Sequence, residues 1–325
     1  MLRIVFAFVG LMVATVARAQ TDPLPSWNDG AARSAIVSFI EAVTTPGSPE
    51  YVAPAERIAT FDNDGTLWLE QPVYVQAFFV GDRLQALAAQ NPGLRENPAF
   101  APVIEKGVAG LSGISEHDLA AAVALTHSGM TPAEFRDIVR QWLQSARHPR
   151  FQRPFTELVY QPMIEVLAYM RSNGFKTYIV SGGGVDFMRV FTEEIYGVPP
   201  EQVIGSRGRM KFETRDGKAT LVREPAIDFI DDKAGKAIAI EQIIGRRPLA
   251  AFGNSDGDLE MLQWTTQSGG RRLGVIIHHT DAEREYAYDR KSPVGRLDQA
   301  LERAGAEGWL VVDMKSGWRT VFKPR

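Results

Sequence analysis

The stretch Arg57-Ile58-Ala59-Thr60-Phe61-Asp62-Asn63-Asp64-Gly65-Thr66-Leu67 decides how the rest of the chain is read. Its first five residues form a short β-prone run, and the next five an acidic turn that contains glycine. A buried strand ending in carboxylates predicts a site at the carboxyl edge of a parallel sheet, where open α/β sheets bind their ligands. Two further strands open in the same way. Phe175 to Val180 runs into Ser181-Gly182-Gly183-Gly184, and Leu249 to Phe252 runs into Gly253-Asn254-Ser255-Asp256-Gly257-Asp258. Turns of this kind converge on one sheet edge. Two acidic turns beside a backbone-rich glycine turn suit a divalent cation next to a phosphate, because Mg²⁺ takes oxygen ligands and exposed N–H groups cradle anions.

Between the first two of these strands the β signal disappears. Ser115-x-x-Asp118 and Thr131-Pro132-x-Glu134 are helix-start patterns, the second with proline at the first helical position. Phe135, Ile138, Val139 and Trp142 then follow helical spacing. The expected architecture is an α/β, Rossmann-like parallel-sheet core with an all-helical cap inserted after the first strand. Residues 20–70 and 151–325 make the core and residues 71–150 the cap. Helices are expected over Ala31–Val43, Pro162–Ser172, Val185–Ile195 and Lys233–Ile244, a hairpin around Asp216-Gly217, a strand over Leu273–Ile277, and helix and hairpin segments at the C-terminus.

The chain has 325 residues, 45% hydrophobic and 23% charged, with a formal net charge of −3 and no cysteine. Disulfides, thiolate metal sites and a cysteine nucleophile are thereby excluded, and any metal must be held by oxygen or imidazole. Thirty-six basic against 39 acidic residues, with no long run of one sign, does not make the footprint of a nucleic-acid binder. A small anionic substrate remains compatible. Residues 1–19 have a cationic start at Arg3, an apolar stretch to about Ala17 and small residues at Ala17 and Ala19, the order of a signal peptide cleaved between Ala19 and Gln20. That apolar stretch is shorter than the roughly 18–20 residues that span a bilayer. Export to the periplasm or medium, with no membrane anchor after cleavage, is expected.

Phe61-Asp62-Asn63-Asp64-Gly65-Thr66-Leu67 resembles the first motif of the haloacid dehalogenase (HAD) superfamily. Tyr178-Ile179-Val180-Ser181-Gly182-Gly183 is similar to its second motif in the phosphoserine-phosphatase-like form, a lysine in Asp232-Lys233-Ala234-Gly235-Lys236 to its third, and Gly253 to Asp258 to its fourth. The resemblance covers roughly residues 57–280. It implies that Asp62 attacks phosphorus to form an aspartyl-phosphate, while Asp64 protonates the leaving alkoxide and later activates water. Ser181, the Gly182 N–H and Thr66 would hold the phosphoryl group. Lys236, followed by Ile240, fits the lysine-then-aliphatic spacing better than the alternative, Lys233. Mg²⁺ would be held by Asp62, the Asp64 backbone carbonyl, Asn254 and Asp258, with Asp256 a further candidate. Position 254 departs from the pattern, since most relatives carry aspartate there; on that reading Asn254→Asp is expected to tighten Mg²⁺ binding.

The resemblance thus implies a Mg²⁺-dependent phosphomonoester hydrolase acting on a small phosphorylated metabolite. Its alternatives are a phosphotransferase using the same intermediate, or a catalytically weak phosphate-ester binder, which Asn254 would favour. A dehalogenase is disfavoured by Asp64, because halide leaves without a proton. Among the other residues, His278 and His279 point to opposite faces of a strand, so ordinary packing is expected of them. Glu70 reads as a substrate contact or a solvated residue. Trp68, Tyr74, Phe78 and Phe79 read as core by default.

Overall fold

The computed structural model describes residues 22–111 and 115–324. The expected signal peptide therefore lies outside the described residues. Among the described residues, no helix is long and apolar enough to cross a membrane.

Helix α1 (Ala31–Thr44) buries Ile36, Phe39, Ile40 and Val43, and leads through a proline turn to β1 (Ile58–Phe61), whose four residues are all buried. A helical stretch follows: α2 (Val75–Gln90), α3 (Ala101–Lys106), α4 (Glu116–His127) and α5 (Pro132–Ser145). The two predicted helix starts are present. Ser115 accepts from the Asp118 N–H, and Thr131 and Glu134 close a reciprocal capping box. Helix α6 (Gln161–Ser172) leads into β2 (Lys176–Gly184), followed by α7 (Val185–Met188) and α8 (Thr192–Tyr196). The single helix expected over 185–195 is broken because Phe191 leaves helical geometry and stacks on Trp68, ring centroids 4.5 Å apart.

The hairpin β3 (Val203–Arg215) and β4 (Lys218–Phe229) turns at Asp216-Gly217, both at positive φ, the mirror-image geometry that suits the twist of paired strands. Then come α9 (Ala234–Ile244), β5 (Ala250–Gly253), α10 (Leu259–Thr266) and β6 (Leu273–His278). Helix α11 (Gln299–Glu307), β7 (Leu310–Asp313) and α12 (Met314–Gly317) end the chain. Among the described residues, the hairpin expected in the C-terminal segment is reduced to an isolated antiparallel bridge between Thr280 and Ala287. Strand β7 runs parallel to β6 across the α11 crossover, with Val275 opposite Leu310 and His278 opposite Asp313. A lone Leu-Val-Val-Asp run carries no local mark of its direction.

Among the described residues, seven strands make one sheet in the order β4-β3-β2-β1-β5-β6-β7, parallel except for β3–β4. Strand β1 is central, with Phe61 level with Ile179 on one side and Phe252 on the other. The Phe61 and Phe252 rings stack 4.4 Å apart. This register brings Asp62, Ser181 and Asn254 to the same edge, directly beyond the core. The helical stretch joins the sheet layer through aromatics: Phe79 of α2 touches Phe135, Trp142 and Phe187, and Trp142 stacks on Phe155.

Candidate active site

The turn after β1 is wound around one acceptor: the N–H groups of Thr66, Leu67 and Trp68 all reach the Asn63 carbonyl. Gly65 sits at φ +74, and a Cβ there would collide with the Asn254 amide and the Glu70 carboxylate, so only glycine lets these groups close over the turn. The Asp62 N–H bonds the Phe252 carbonyl at 2.9 Å, extending the sheet by one rung past the strand.

The two carboxylates of the turn are separated by their partners. Asp62 Oδ1 accepts from Lys236 Nζ at 2.7 Å, and the same ammonium donates to Asp258 Oδ1 at 2.6 Å. Asp258 Oδ2 accepts the N–H groups of Asn254 and Ser255, each at 3.0 Å. Asp64 faces elsewhere. Its Oδ1 accepts from Trp68 Nε1 at 2.8 Å, and its Oδ2 lies beside Gly183.

Burial works against the charge of Lys236, but the Asp258 and Asp62 carboxylates hold it, and its pKa stands above the ordinary lysine value. Asp62 is pushed up by burial and by Asp258, with Lys236 opposing. Burial raises Asp64 to about 6, against the hydrogen bond from Trp68.

Strand β2 pairs with β3 at Ser181–Gly205 and again at Gly184–Ser206, so Gly182 and Gly183 bulge out of the ladder. Ser181 is buried, and its Oγ accepts the Gly183 N–H at 3.2 Å. The bulge brings Gly183 close to Asp64, whose Oδ2 would lie 3.5 Å from a Cβ placed there. Thr66 points instead at the fourth turn, donating to Asn254 Oδ1 at 3.1 Å.

Among the predicted residues, Asp62, Lys236 and Asp258 are thus in direct contact, Thr66 and Asn254 in contact, and Asp64 opposite the Ser181–Gly184 turn. Lys233 and Asp256 lie elsewhere. Lys233 is exposed at the start of α9, where its backbone N–H bonds the Gly257 carbonyl. Asp256 Oδ1 accepts the N–H groups of Asp298 and Ala300 at the start of α11, a structural use of the carboxylate.

Other residues at this edge carried no motif. Glu70 is buried, accepts from Asn254 Nδ2 at 2.7 Å and from the Tyr288 hydroxyl at 2.8 Å, and is pushed well above the ordinary glutamate range by burial, with Asp64 and Asp62 adding to it. His279, expected only to pack, puts Nε2 2.8 Å from the Gly65 carbonyl and Nδ1 3.2 Å from Glu285. Since a carbonyl only accepts, Nε2 carries the proton. Gln76 of α2 accepts the Gly184 N–H at 2.7 Å. The period-2 alternation that placed the two histidines on opposite faces was the one local sign that they differ.

Both Asp258 oxygens are taken by Lys236 and by backbone N–H groups, so the expected ligands left are the Asp62 carboxylate, the Asp64 backbone carbonyl and the Asn254 amide oxygen, all of the donor type a hard cation such as Mg²⁺ takes. Among the described residues, no three His, Asp or Glu side chains group into a metal cage. A cation here would therefore rely also on backbone, amide, water and substrate oxygens, as Mg²⁺ commonly does. Burial raises the carboxyls of Asp62, Asp64 and Glu70, and the charges of Asp64 and Asp62 raise Glu70 further, an electrostatic setting that a nearby cation relieves.

The fold is similar to that of a protein of unknown function from Bordetella pertussis Tohama I, 16% identical, covering 80% of this chain and 99% of that one with a TM-score of 0.51. It is also similar to a conserved, functionally unknown protein from Anaerococcus prevotii DSM 20548, 15% identical, covering 82% and 95% with a TM-score of 0.51. No curated protein sequence matches the chain. Residues 59–263, from β1 into α10, match the haloacid dehalogenase-like hydrolase family. The match takes in the turns after β1, β2 and β5 and the helix α9 that carries Lys236, and the chain belongs to that family of hydrolases.

Proposed function

We propose that the protein is a Mg²⁺-dependent phosphomonoester hydrolase acting on a small phosphate ester through an aspartyl-phosphate on Asp62. The observation that carries this reading is the division of labour between the two carboxylates: Asp62 is held by Lys236, while Asp64 is held by Trp68 opposite the Ser181–Gly184 turn. Asp62 attacks phosphorus and the ester oxygen departs on the far side. Asp64, raised to about 6, gives that oxygen a proton and then takes one from the water that hydrolyses the acyl phosphate. Ser181 Oγ and the Gly182 N–H hold the phosphoryl oxygens, whose charge spreads in the transition state. Lys236 holds the nucleophile in place and supplies a fixed positive charge. Asp62, the Asp64 carbonyl and Asn254 would hold the cation, with Asp258 oriented by Lys236; when bound, it neutralises charge on the nucleophile and the phosphate.

Residues 71–150 serve in this proposal as the cap that shields the acyl phosphate and selects the leaving group. Residues 1–19 act as a signal peptide, so the working enzyme is exported.

The test is phosphate release from a panel of phosphomonoesters with and without Mg²⁺, beside an Asp62→Asn control. Metal-dependent release absent from the control is the expected result; release equal in both rejects the proposal. Adding an acceptor alcohol and analysing the products separates hydrolysis from phosphotransfer.

A further inference from the structure

Asn254 stands where the fourth motif usually has a carboxylate, and its amide has a defined orientation. Thr66 Oγ1 donates to Oδ1 at 3.1 Å, and Nδ2 donates to Glu70 Oε1 at 2.7 Å. A hydroxyl can bond either end of an amide, but a carboxylate only accepts, so Glu70 keeps Nδ2 on its own side and leaves Oδ1 on the other. Glu70 is 2% exposed and also receives the Tyr288 hydroxyl. Room for its carboxylate is made by two glycines from separate loops, Gly65 and Gly295. Both have positive φ, and a Cβ on either would strike Glu70 Oε1. Four segments of the chain are therefore shaped around one carboxylate that none of the four motifs contains.

Resting on the Mg²⁺ site proposed above, we infer that Glu70 is a positioning residue for it: its Oε1, which accepts from both Asn254 Nδ2 and the Tyr288 hydroxyl, fixes the amide so that Oδ1 is the coordinating atom. Groups one step removed from a metal orient its ligands and raise their donor strength. The pair Asn254–Glu70 thus presents one fixed oxygen in place of a directly placed aspartate. This reverses the expectation from sequence. In Asn254→Asp a carboxylate oxygen replaces the Nδ2 that lies 2.7 Å from Glu70 Oε1, so the donor between them is lost and two acceptors face each other.

The test is calorimetric titration of Mg²⁺ into the chelator-treated protein and three variants: Glu70→Gln, Asn254→Asp and the double variant. Glu70→Gln keeps the shape but places there an amide that can donate to Oδ1 as well as accept from Nδ2, so Asn254 is no longer held in one orientation, and Mg²⁺ binding is expected to weaken by about 10–100-fold. Asn254→Asp alone binds no more tightly than the wild type, whereas the double variant, in which the amide at position 70 can donate to the new carboxylate, recovers wild-type affinity or better. Tighter binding by Asn254→Asp alone, or unchanged binding by Glu70→Gln, overturns the inference. Should Glu70→Gln fail to fold, Asn254→Asp decides by the same criterion. A wild-type protein that binds no Mg²⁺ removes the Mg²⁺ reading itself, while normal wild-type binding that Glu70→Gln leaves unchanged removes only the role of Glu70.

Discussion

Gln76 Oε1 accepts the Gly184 N–H at 2.7 Å, tying the first helix after the β1 turn to the glycine turn that follows β2. The amide is held from behind. Thr126 spends its proton on the Ala122 carbonyl, so His127 Nδ1–H donates to Thr126 Oγ1 and His127 Nε2 accepts from Gln76 Nε2 at 3.0 Å. Burial, helped by the nearby Arg223 charge, pushes His127 down to about 3 and keeps it neutral, as this chain requires. Gln76→Ala removes one such link and is expected to lower stability by about 1 kcal/mol while raising KM several-fold. Denaturant unfolding and steady-state kinetics together check it; an unchanged KM would show that the link has no bearing on the turn.

Lys236 is 1% exposed between two carboxylates, so its loss leaves Asp62 and Asp258 facing each other without a cation. Lys236→Met is expected to lose about 3–5 kcal/mol of stability and to abolish turnover. Urea unfolding in the absence of metal measures the first effect. Added Mg²⁺ should restore part of the stability but none of the activity.

Asp64 must be protonated to assist an alkoxide and ionised to activate water. With its carboxyl at about 6, kcat/KM for alkyl phosphates is expected to fall as pH rises above that value, about tenfold per unit. An aryl phosphate with a stable leaving anion should lack this fall. Below about pH 6 the acyl phosphate should accumulate, because Asp64 can no longer take the proton from water. Acid quenching with labelled substrate detects it, and an identical pH profile for both leaving groups would remove Asp64 from the role of acid.

Asp231 is fully buried just ahead of α9, and neither carboxylate oxygen has a hydrogen-bond partner of good geometry among the described residues. Burial raises it to about 7, with Lys236 and the Ser181 N–H only partly offsetting. Between the unfolded value near 4 and about 7 the folded state binds the extra proton, so stability is greatest below this window and declines as pH rises through it. Asp231→Asn is expected to flatten that decline and to stabilise the protein at pH 7.5 by on the order of 2–4 kcal/mol. Melting temperatures at pH 5 and 7.5 test it; an equal pH slope in the variant would refute the assignment.

The strand-then-turn pattern at Phe61-Asp62, Val180-Ser181 and Phe252-Gly253 was legible because it is local. So were the Ser115 and Thr131 helix starts, whose hydrogen bonds span three residues. The spacing of Lys236 ahead of Ile240 was enough to prefer it over Lys233, and only Lys236 reaches Asp62 and Asp258. Asp258 was ranked ahead of Asp256 as a ligand candidate, but what each carboxylate contacts was not legible. Both lie in the same short helical turn, whose winding directs one to the start of α11 and the other to Lys236.

By itself, then, the sequence determined an α/β core with acidic and glycine turns at its strand ends, because alternation, caps and breakers act over a few residues. Only the tertiary structure decided what closes around those turns. Glu70 meets Asn254 across 184 positions, Tyr288 meets Glu70 across 218, and His279 meets Gly65 across 214. Such contacts leave no periodic signal, since they arise where the sheet register brings separate loops to one edge and burial obliges each polar group to find a partner there.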